Sequence, residues 1–329
     1  MTQMLKLLIL SEAGDRTTNE VAQWLLSWGV DFVRLNTEDA VRVLDVSPSS
    51  GRVAVQVRGR ELNLADFDRM WLRRGVLRLE CLAETMSALA NIRAGRKLQG
   101  FVQNEWARLR EYIFFCLERR AVLGSFARYN MNKLCVLHIA KECGLDIPET
   151  LISEDSSRIE ALVAQKQLIT KPISEAITYG DTPGGYFKLL TAPVDTTDLE
   201  QKDILPSLVQ ERLDKWVELR IFYLRKRCYT AAIFSQDNVA TAVDFRNYSS
   251  TKNRVVPFSL PGHVAQKIEL LMRKLNLDTG SIDMVLTRDM RYVFLEVNPV
   301  GNIEMVSKPC NYPIEREIAK VLSNGIETA

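Results

Sequence analysis

Residues 281–298 hold two alternating runs, Ser281 to Thr287 and Tyr292 to Asn298, around the break Arg288-Asp-Met-Arg291. Alternation on both sides of a short polar break predicts an antiparallel β-hairpin, which commits this part of the chain to a two-faced sheet. A turn centred between Asp289 and Met290 sets Asp283 opposite Glu296, with Asn298 on the same face two residues on. Directly opposed residues have Cβ atoms about 4.5–5.5 Å apart, and like charges there repel. Two carboxylates and an amide oxygen on one face suit a hard cation. Mg²⁺ fits, because it takes oxygen ligands and keeps water and phosphate in its shell. The same face also suits two solvated carboxylates neutralised by Lys or Arg, and alternation alone leaves both readings open. Val293, Leu295 and Val297 make the expected apolar face.

Composition narrows what such a sheet can serve. Lys and Arg number 43 against 41 Asp and Glu, so no strong field marks the chain for nucleic acid or an anionic membrane. The 329 residues are enough for two or three lobes. No apolar run approaches the roughly 20 residues of a spanning helix. Six cysteines are scattered without a CxxC pair, and Met1 leads straight into a short apolar strand with no secretory signal. Reduced thiols and a cytoplasmic location are expected. The two histidines, His138 and His263, argue against a His-built zinc site and against most His-based acid–base machinery. Carboxylate, Lys and Arg chemistry remains.

The chain opens as strand, helix, strand: an apolar run over 5–10, a helix capped at Thr18 or Asn19 and closed by Gly29, then a strand over 31–35. That order predicts an α/β start with a parallel pair. Residues 52–57 and 61–64 form a small hairpin around Arg58-Gly59-Arg60, 69–73 continue the sheet, and 82–120 are helical. A second segment begins near Ser125, with a helix over 130–143 ending at Gly144, a strand over 150–152, a helix over 156–164, and strands over 167–171 and 185–190. Residues 172–184 read as a loop. The third segment, from Leu208, is mostly strand, with helices over 263–275 and 314–322. Three α/β lobes are expected: 1–122, 123–205 with the loop, and 206–329 with the carboxylate site.

Other chemistry-bearing residues fall at strand and helix ends. Lys171 ends an apolar strand facing the loop, and Lys133 starts a helix; each suits a phosphate contact or an ordinary solvated Lys. Glu211 and Glu218 flank the connection from 208 to 220, where they suit an adenine amino group and a ribose, or a plain charged linker. Arg220 and Arg246 are candidate clamps for a carboxylate or phosphoryl group. There is no GxxxxGK[ST] and no GxGxxG after the first strand, so the P-loop and dinucleotide fingerprints are absent.

In order, the chain offers Asn132-Lys133, Gly144-Leu-Asp-Ile-Pro-Glu-Thr150, Thr170-Lys171-Pro, Gln210-Glu211, Glu218-Leu-Arg220, Asp283 and Leu295-Glu-Val-Asn298-Pro. This series resembles the ATP-grasp superfamily, most closely the peptide maturases that make graspetides, the microviridin-type and grasp-with-spasm enzymes. Trp71-Leu-Arg-Arg74, Lys171-Pro-Ile-Ser-Glu175 and Asn298-Pro-Val-Gly301 add to the likeness, which runs over essentially the whole chain.

The resemblance implies an N-terminal pre-ATP-grasp lobe followed by central and C-terminal ATP-grasp lobes. It implies ATP and Mg²⁺ as cofactors and a ribosomal precursor peptide, leader plus core, as partner. A side-chain carboxylate of that peptide would be activated as an acyl phosphate and joined to a Ser or Thr hydroxyl, or to a Lys amine. By position, Lys133 and Lys171 would hold phosphates, Gln210, Glu211, Arg212 and Leu213 would form the adenine hinge, and Glu218 would meet the ribose. Asp283, Glu296 and Asn298 would hold the metal. Arg220 and Arg246 would steady the carboxylate, Glu175 would orient the nucleophile, and 173–184 would form a lid that keeps out water. A homodimer rests on the resemblance alone. A ligase that adds amino acids to a protein tail shares the ATP residues and differs in the acceptor; a non-catalytic ATP-binding module is the other alternative.

Overall fold

The computed structural model describes residues 6–174, 178–182, 185–188, 191–194, 199, 203–235 and 253–323. The chain divides into two compact units: residues 1–129 with 313–329, and residues 130–312.

The first unit starts with β1 (Leu7–Ser11), buried throughout, as a central parallel strand must be. Helix α1 (Arg16–Ser27) is capped by Asp15, whose carboxylate accepts the Thr18 amide at 2.7 Å. The cap therefore lies earlier than Thr18 or Asn19. Thr17 and Thr18 are buried inside the helix, and the Thr18 hydroxyl is 2.8 Å from that of Ser11. Gly29, at φ +67, closes the helix as expected.

Strand β2 (Phe32–Asn36) pairs in parallel with β1. Strands β3 (Ala40–Ser47), β4 (Arg52–Val57) and β5 (Arg60–Asn63) form a separate antiparallel sheet. Its β4–β5 turn places both Arg58 and Gly59 at positive φ, the requirement of a tight two-residue hairpin. Strand β6 (Arg69–Leu72) lies parallel on the other side of β1, and β7 (Arg78–Leu79) joins β3.

The helical stretch over 82–120 is two helices, α2 (Leu82–Ala90) and α3 (Gly95–Glu118), rather than one. Gly95 sits so close to α2 that a Cβ there would lie 2.0 Å from the Leu89 carbonyl oxygen. Strand β8 (Ala121–Leu123) completes the parallel sheet in the order β2-β1-β6-β8. The closing helix, Ile314–Leu322, packs on α1 in this unit, although the sequence reading places it with the C-terminal lobe. The Arg69 guanidinium donates to the Leu322 and Val321 carbonyls at 2.9 and 2.6 Å, holding the helix by its negative end.

The second unit opens with α4 (Lys133–Glu142), capped by Asn132, whose side-chain oxygen accepts the Leu134 amide at 2.9 Å. It continues with β9 (Thr150–Asp155), α5 (Ser156–Val163) and β10 (Leu168–Thr170). Within the expected loop lies β11 (Thr178–Thr182), paired antiparallel with β12 (Gly185–Lys188), which falls in the strand expected over 185–190. Strands β13 (Ala192–Pro193) and β14 (Asp203–Glu211) follow, giving a sheet in the order β13-β10-β14-β9. Strand β14 runs through the expected lobe boundary at 205/206. Its backbone pairs with β10 and β9, so residues 206–211 belong to this sheet.

The remainder forms a five-stranded antiparallel sheet in the order β17-β16-β15-β18-β19. Its strands are β15 (Lys215–Leu224), β16 (Arg227–Phe234), β17 (Arg254–Phe258), β18 (Thr279–Thr287) and β19 (Tyr292–Asn298). Helix α6 (Gly262–Lys274) lies between β17 and β18 in the chain, and α7 (Glu304–Cys310) follows β19. One sheet face carries Val217, Leu219, Ile221, Ile282, Met284 and Phe294 into a core with Val136, Leu137, Ile268 and Leu271 of α4 and α6. Burying each such side chain stabilises the unit by about 1.5–3 kcal/mol. The opposite rows, with Glu218, Arg220 and Asp283, are left for the site.

Candidate functional site

Three neighbouring strands supply the acidic centre. Arg220 on β15 pairs with Asp283 on β18, and Asp283 pairs with Glu296 on β19. The expected opposition of Asp283 and Glu296 is present, but the route to it differs. Nearest the turn, Leu286 faces Tyr292 and Met284 faces Phe294, a register that continues to Asp283 facing Leu295. A bulge at Leu295 inserts one residue and brings Glu296 opposite Asp283 instead.

The bulge also corrects the expected apolar face. Phe294 and Val297 point into the core, whereas Leu295 and Glu296 both line the cleft. Asn298 stands opposite Ser281, and its side-chain oxygen accepts the Val300 amide at 3.0 Å. Gly301 permits the following loop to lie close: a Cβ there would sit 2.4 Å from the Ser281 Cβ and 3.3 Å from Arg220 Nη2.

The cleft is lined by Ile169, Lys171 and Thr191, the run Gln210–Leu213, Lys215, Glu218–Arg220, Ile233, Asp283–Val285, Leu295 and Glu296. It therefore gathers Lys171, Gln210, Glu211, Arg212, Leu213, Glu218, Arg220, Asp283 and Glu296 from the sequence reading. Lys133, at the start of α4, reaches the same place: its ammonium lies 4.0 Å from a Glu296 carboxylate oxygen and donates to the Ser174 carbonyl at 2.9 Å. Glu175 and Arg246 lie outside the described residues, as do 176–177 and 183–184 of the expected lid.

Electrostatics in the cleft are paired and shielded. Arg220 and Asp283 form an ion pair with side chains only 10% and 13% exposed. Taking such charges out of water is costly unless they hold one another. Arg220 Nε is buried with no hydrogen-bond partner, so the guanidinium keeps an unused donor. Glu218 is bound from two sides, by the Lys215 ammonium at 3.2 Å and by the Ser235 hydroxyl at 2.6 Å.

Lys215, which lines the cleft, and the buried Ser235 bonded to Glu218 are residues that the sequence reading passes over. On a regular strand Lys215 and Glu218, three apart, face opposite ways. A bulge at Trp216, between Lys215 and Val217, turns them to one side. Nothing in the residue pattern marks that bulge.

On the far wall, β14 presents Gln210 to Glu211. Gln210 is buried and donates to the Thr150 hydroxyl at 2.8 Å, and the Glu211 carboxylate accepts the Glu149 amide at 3.1 Å. The Arg212 amide donates to the Gln167 carbonyl at 2.8 Å. The linker between the two sheets is thus tied to β9 and β10. With Ile169, Met284 and Leu295 it offers an apolar slot edged by polar backbone, the shape that suits a flat heteroaromatic ring.

No protein-family model and no curated protein sequence matches the chain. Solved structures do. The macrocyclase MdnC from Microcystis aeruginosa MRC, bound with its precursor peptide MdnA, superposes with a TM-score of 0.79 at 24% identity. That match covers 97% of this chain and 100% of the other. A RiPP-associated ATP-grasp ligase from Chryseobacterium gregarium, in complex with ADP and a leader and core peptide, gives 0.79 at 22% identity over 98% and 97% of the chains. The chain has the ATP-grasp fold.

A third structure, the ATP-grasp ligase PsnB complexed with a phosphomimetic variant of a minimal precursor, Mg and ADP, gives 0.71 at 16% identity over 98% and 99%. The cleft lies between the β13-β10-β14-β9 sheet and the five-stranded sheet. Its acidic floor is the Asp283–Glu296 pair.

Among the described residues no cluster of three or more His, Cys, Asp or Glu stands ready to cage a metal. Two facing carboxylates suit an ion whose remaining ligands are phosphate and water, which is how Mg²⁺ is ordinarily held. Among the same residues no helix is long and apolar enough to cross a membrane.

Proposed function

We propose that the chain is an ATP-dependent peptide macrocyclase. It would activate Asp or Glu side chains of a ribosomal precursor peptide as acyl phosphates and join them to Ser or Thr hydroxyls, or to Lys amines, in the same peptide. The observation that carries this reading is the Asp283–Glu296 pair, flanked by Arg220 and Lys133, in the cleft of a full-length ATP-grasp fold. The structures matched over nearly the whole chain include complexes with precursor peptide, ADP and Mg.

Each residue then has a physical task. Phosphoryl transfer asks the protein for positioning and charge neutralisation more than for covalent help. Lys133 and Lys171 neutralise phosphate oxygens. Gln210 to Leu213 and the apolar slot hold the base, and Glu218, kept in place by Lys215 and Ser235, receives the ribose hydroxyls. Asp283 and Glu296, with Asn298, would hold Mg²⁺, which would supply charge neutralisation at the phosphates. The Arg220 guanidinium, half committed to Asp283 and with Nε unused, steadies the peptide carboxylate beside the phosphate; Arg246 joins it and Glu175 orients the nucleophile. Residues 173–184 would exclude water from the activated carboxylate. The enzyme works as a homodimer in a reducing cytoplasm.

ADP release tests the reading. With MgATP, adding a short Thr/Ser- and Asp/Glu-rich peptide encoded beside the gene should raise ADP production severalfold over the enzyme alone, and chelating Mg²⁺ should abolish the increase. ADP release that ignores the peptide contradicts it.

A further inference from the structure

Each carboxylate of the acidic floor is already held by a cation. Asp283 pairs with Arg220, and a Glu296 oxygen lies 4.0 Å from the Lys133 ammonium. Each must loosen that partner to serve a metal ion. A guanidinium cannot stay close to a divalent cation on one carboxylate in a wall this shielded, because like charges repel strongly where water is scarce. Arg220 then needs a second acceptor. Lys133 shows the pattern, since it also donates to a neutral group, the Ser174 carbonyl, at 2.9 Å.

The acceptor within reach of Arg220 is two residues along β18. Ser281 faces Phe222 as Asp283 faces Arg220, so Ser281 is the diagonal neighbour of Arg220 on one face of the sheet. Long side chains span such a diagonal. Ser281 is only 1% exposed, and its hydroxyl has no hydrogen-bond partner among the described residues. The same holds for the buried Arg220 Nε. Orphaned buried polar atoms are rare enough that each wants a reason, and here two of them are neighbours. Gly301 shows how near they come. A Cβ there would lie 2.6 Å from Ser281 Oγ and 3.3 Å from Arg220 Nη2, so both side chains border one point.

We infer that Ser281 is a positioning residue for Arg220. As Asp283 turns to a metal ion, the guanidinium gives up that carboxylate and donates to the Ser281 hydroxyl, which keeps it on the cleft face of the sheet. The inference rests on the metal role of Asp283 proposed above. A guanidinium binds a carboxylate more tightly than it binds a hydroxyl, so the Arg220–Asp283 pair opposes the metal and Ser281 recovers part of that loss. The exchange also sets an order. Arg220 becomes available to the peptide carboxylate only after Asp283 has let it go, so metal and nucleotide precede the peptide's reacting side chain.

Mn²⁺ takes the oxygen ligands that suit Mg²⁺, and its free ion is counted by electron paramagnetic resonance. Titrated into the full chain with ADP present, it should bind, and Asp283→Asn should lose most of that binding. Ser281→Ala should weaken it about three- to tenfold, the worth of one hydrogen bond. The melting temperature should not fall, because the hydroxyl removed is a buried orphan. Arg220→Gln, which keeps a hydrogen bond to Asp283 without the charge, should tighten Mn²⁺ at least about tenfold. In the Arg220→Gln background Ser281→Ala should change nothing, since it acts through the guanidinium. A Ser281→Ala effect that survives there makes Ser281 a metal ligand or a packing residue and overturns the inference. Native affinity in Ser281→Ala, or no tightening in Arg220→Gln, overturns it too. Mn²⁺ binding that ignores Asp283→Asn is a different failure: it removes the metal role of Asp283, and the inference goes with it.

Discussion

At the scale of single residues, the cleft holds its charges by pairing them. Asp283 neutralises the Arg220 guanidinium within a wall only about a tenth exposed, and Glu218 is pinned by an ammonium and a hydroxyl. Asp283→Asn keeps the shape and removes the charge. On the proposed mechanism it should lower peptide-dependent ADP release at least about a hundredfold while leaving the circular dichroism spectrum intact. Unchanged turnover would remove Asp283 from the metal site. The thiols make a separate prediction. Burial pushes Cys228 up to about 11 and raises Cys143 and Cys310, whereas Cys81 and Cys135 are exposed. A thiol with a raised pKa carries less of the reactive thiolate at any pH below it. Alkylation at pH 8, mapped by mass spectrometry, should therefore reach Cys81 and Cys135 first and Cys228 last, and reducing agents should leave activity unchanged.

At the scale of elements, what the sequence reveals and what it hides divide by cause. Periodicity and end signals locate β1, α4, α6, β15, β18 and β19 closely, because each alternates or recurs against a core and ends on a recognisable residue such as Gly144. The two bulges are another matter. At Trp216 and Leu295 one extra residue re-aims Lys215 and Glu296, and the local pattern is as compatible with an unbroken strand. Glu296 is found opposite Asp283 only because a turn one half-step off is offset by a bulge. Similarly, β14 gives no sign of which sheet it joins, since its ladder partners lie some forty residues and more away. The closing helix is a third instance: its amphipathic pattern shows a buried face without naming the partner. Arg69 is part of that answer, and Arg69→Ala should loosen this helix. Losing bonds to its last carbonyls should cost about 1–2 kcal/mol. Hydrogen exchange over 314–322 should quicken while 264–274 in α6 stays protected; equal rates in the native and Arg69→Ala proteins would deny Arg69 that role.

At the scale of the whole molecule, each unit has its own core, and the second contains every described residue of the proposed chemistry. The first unit brings a parallel sheet and the closing helix. The central claim is that the cleft condenses two side chains of one peptide at the expense of ATP. Its most direct test is the intact mass of any short Thr/Ser- and Asp/Glu-rich peptide encoded beside the gene after co-expression with the chain. The account predicts loss of one water per new bond, absent with Asp283→Asn. A mass gain in amino-acid steps, or an unmodified peptide beside an enzyme that binds it and ATP, would contradict it.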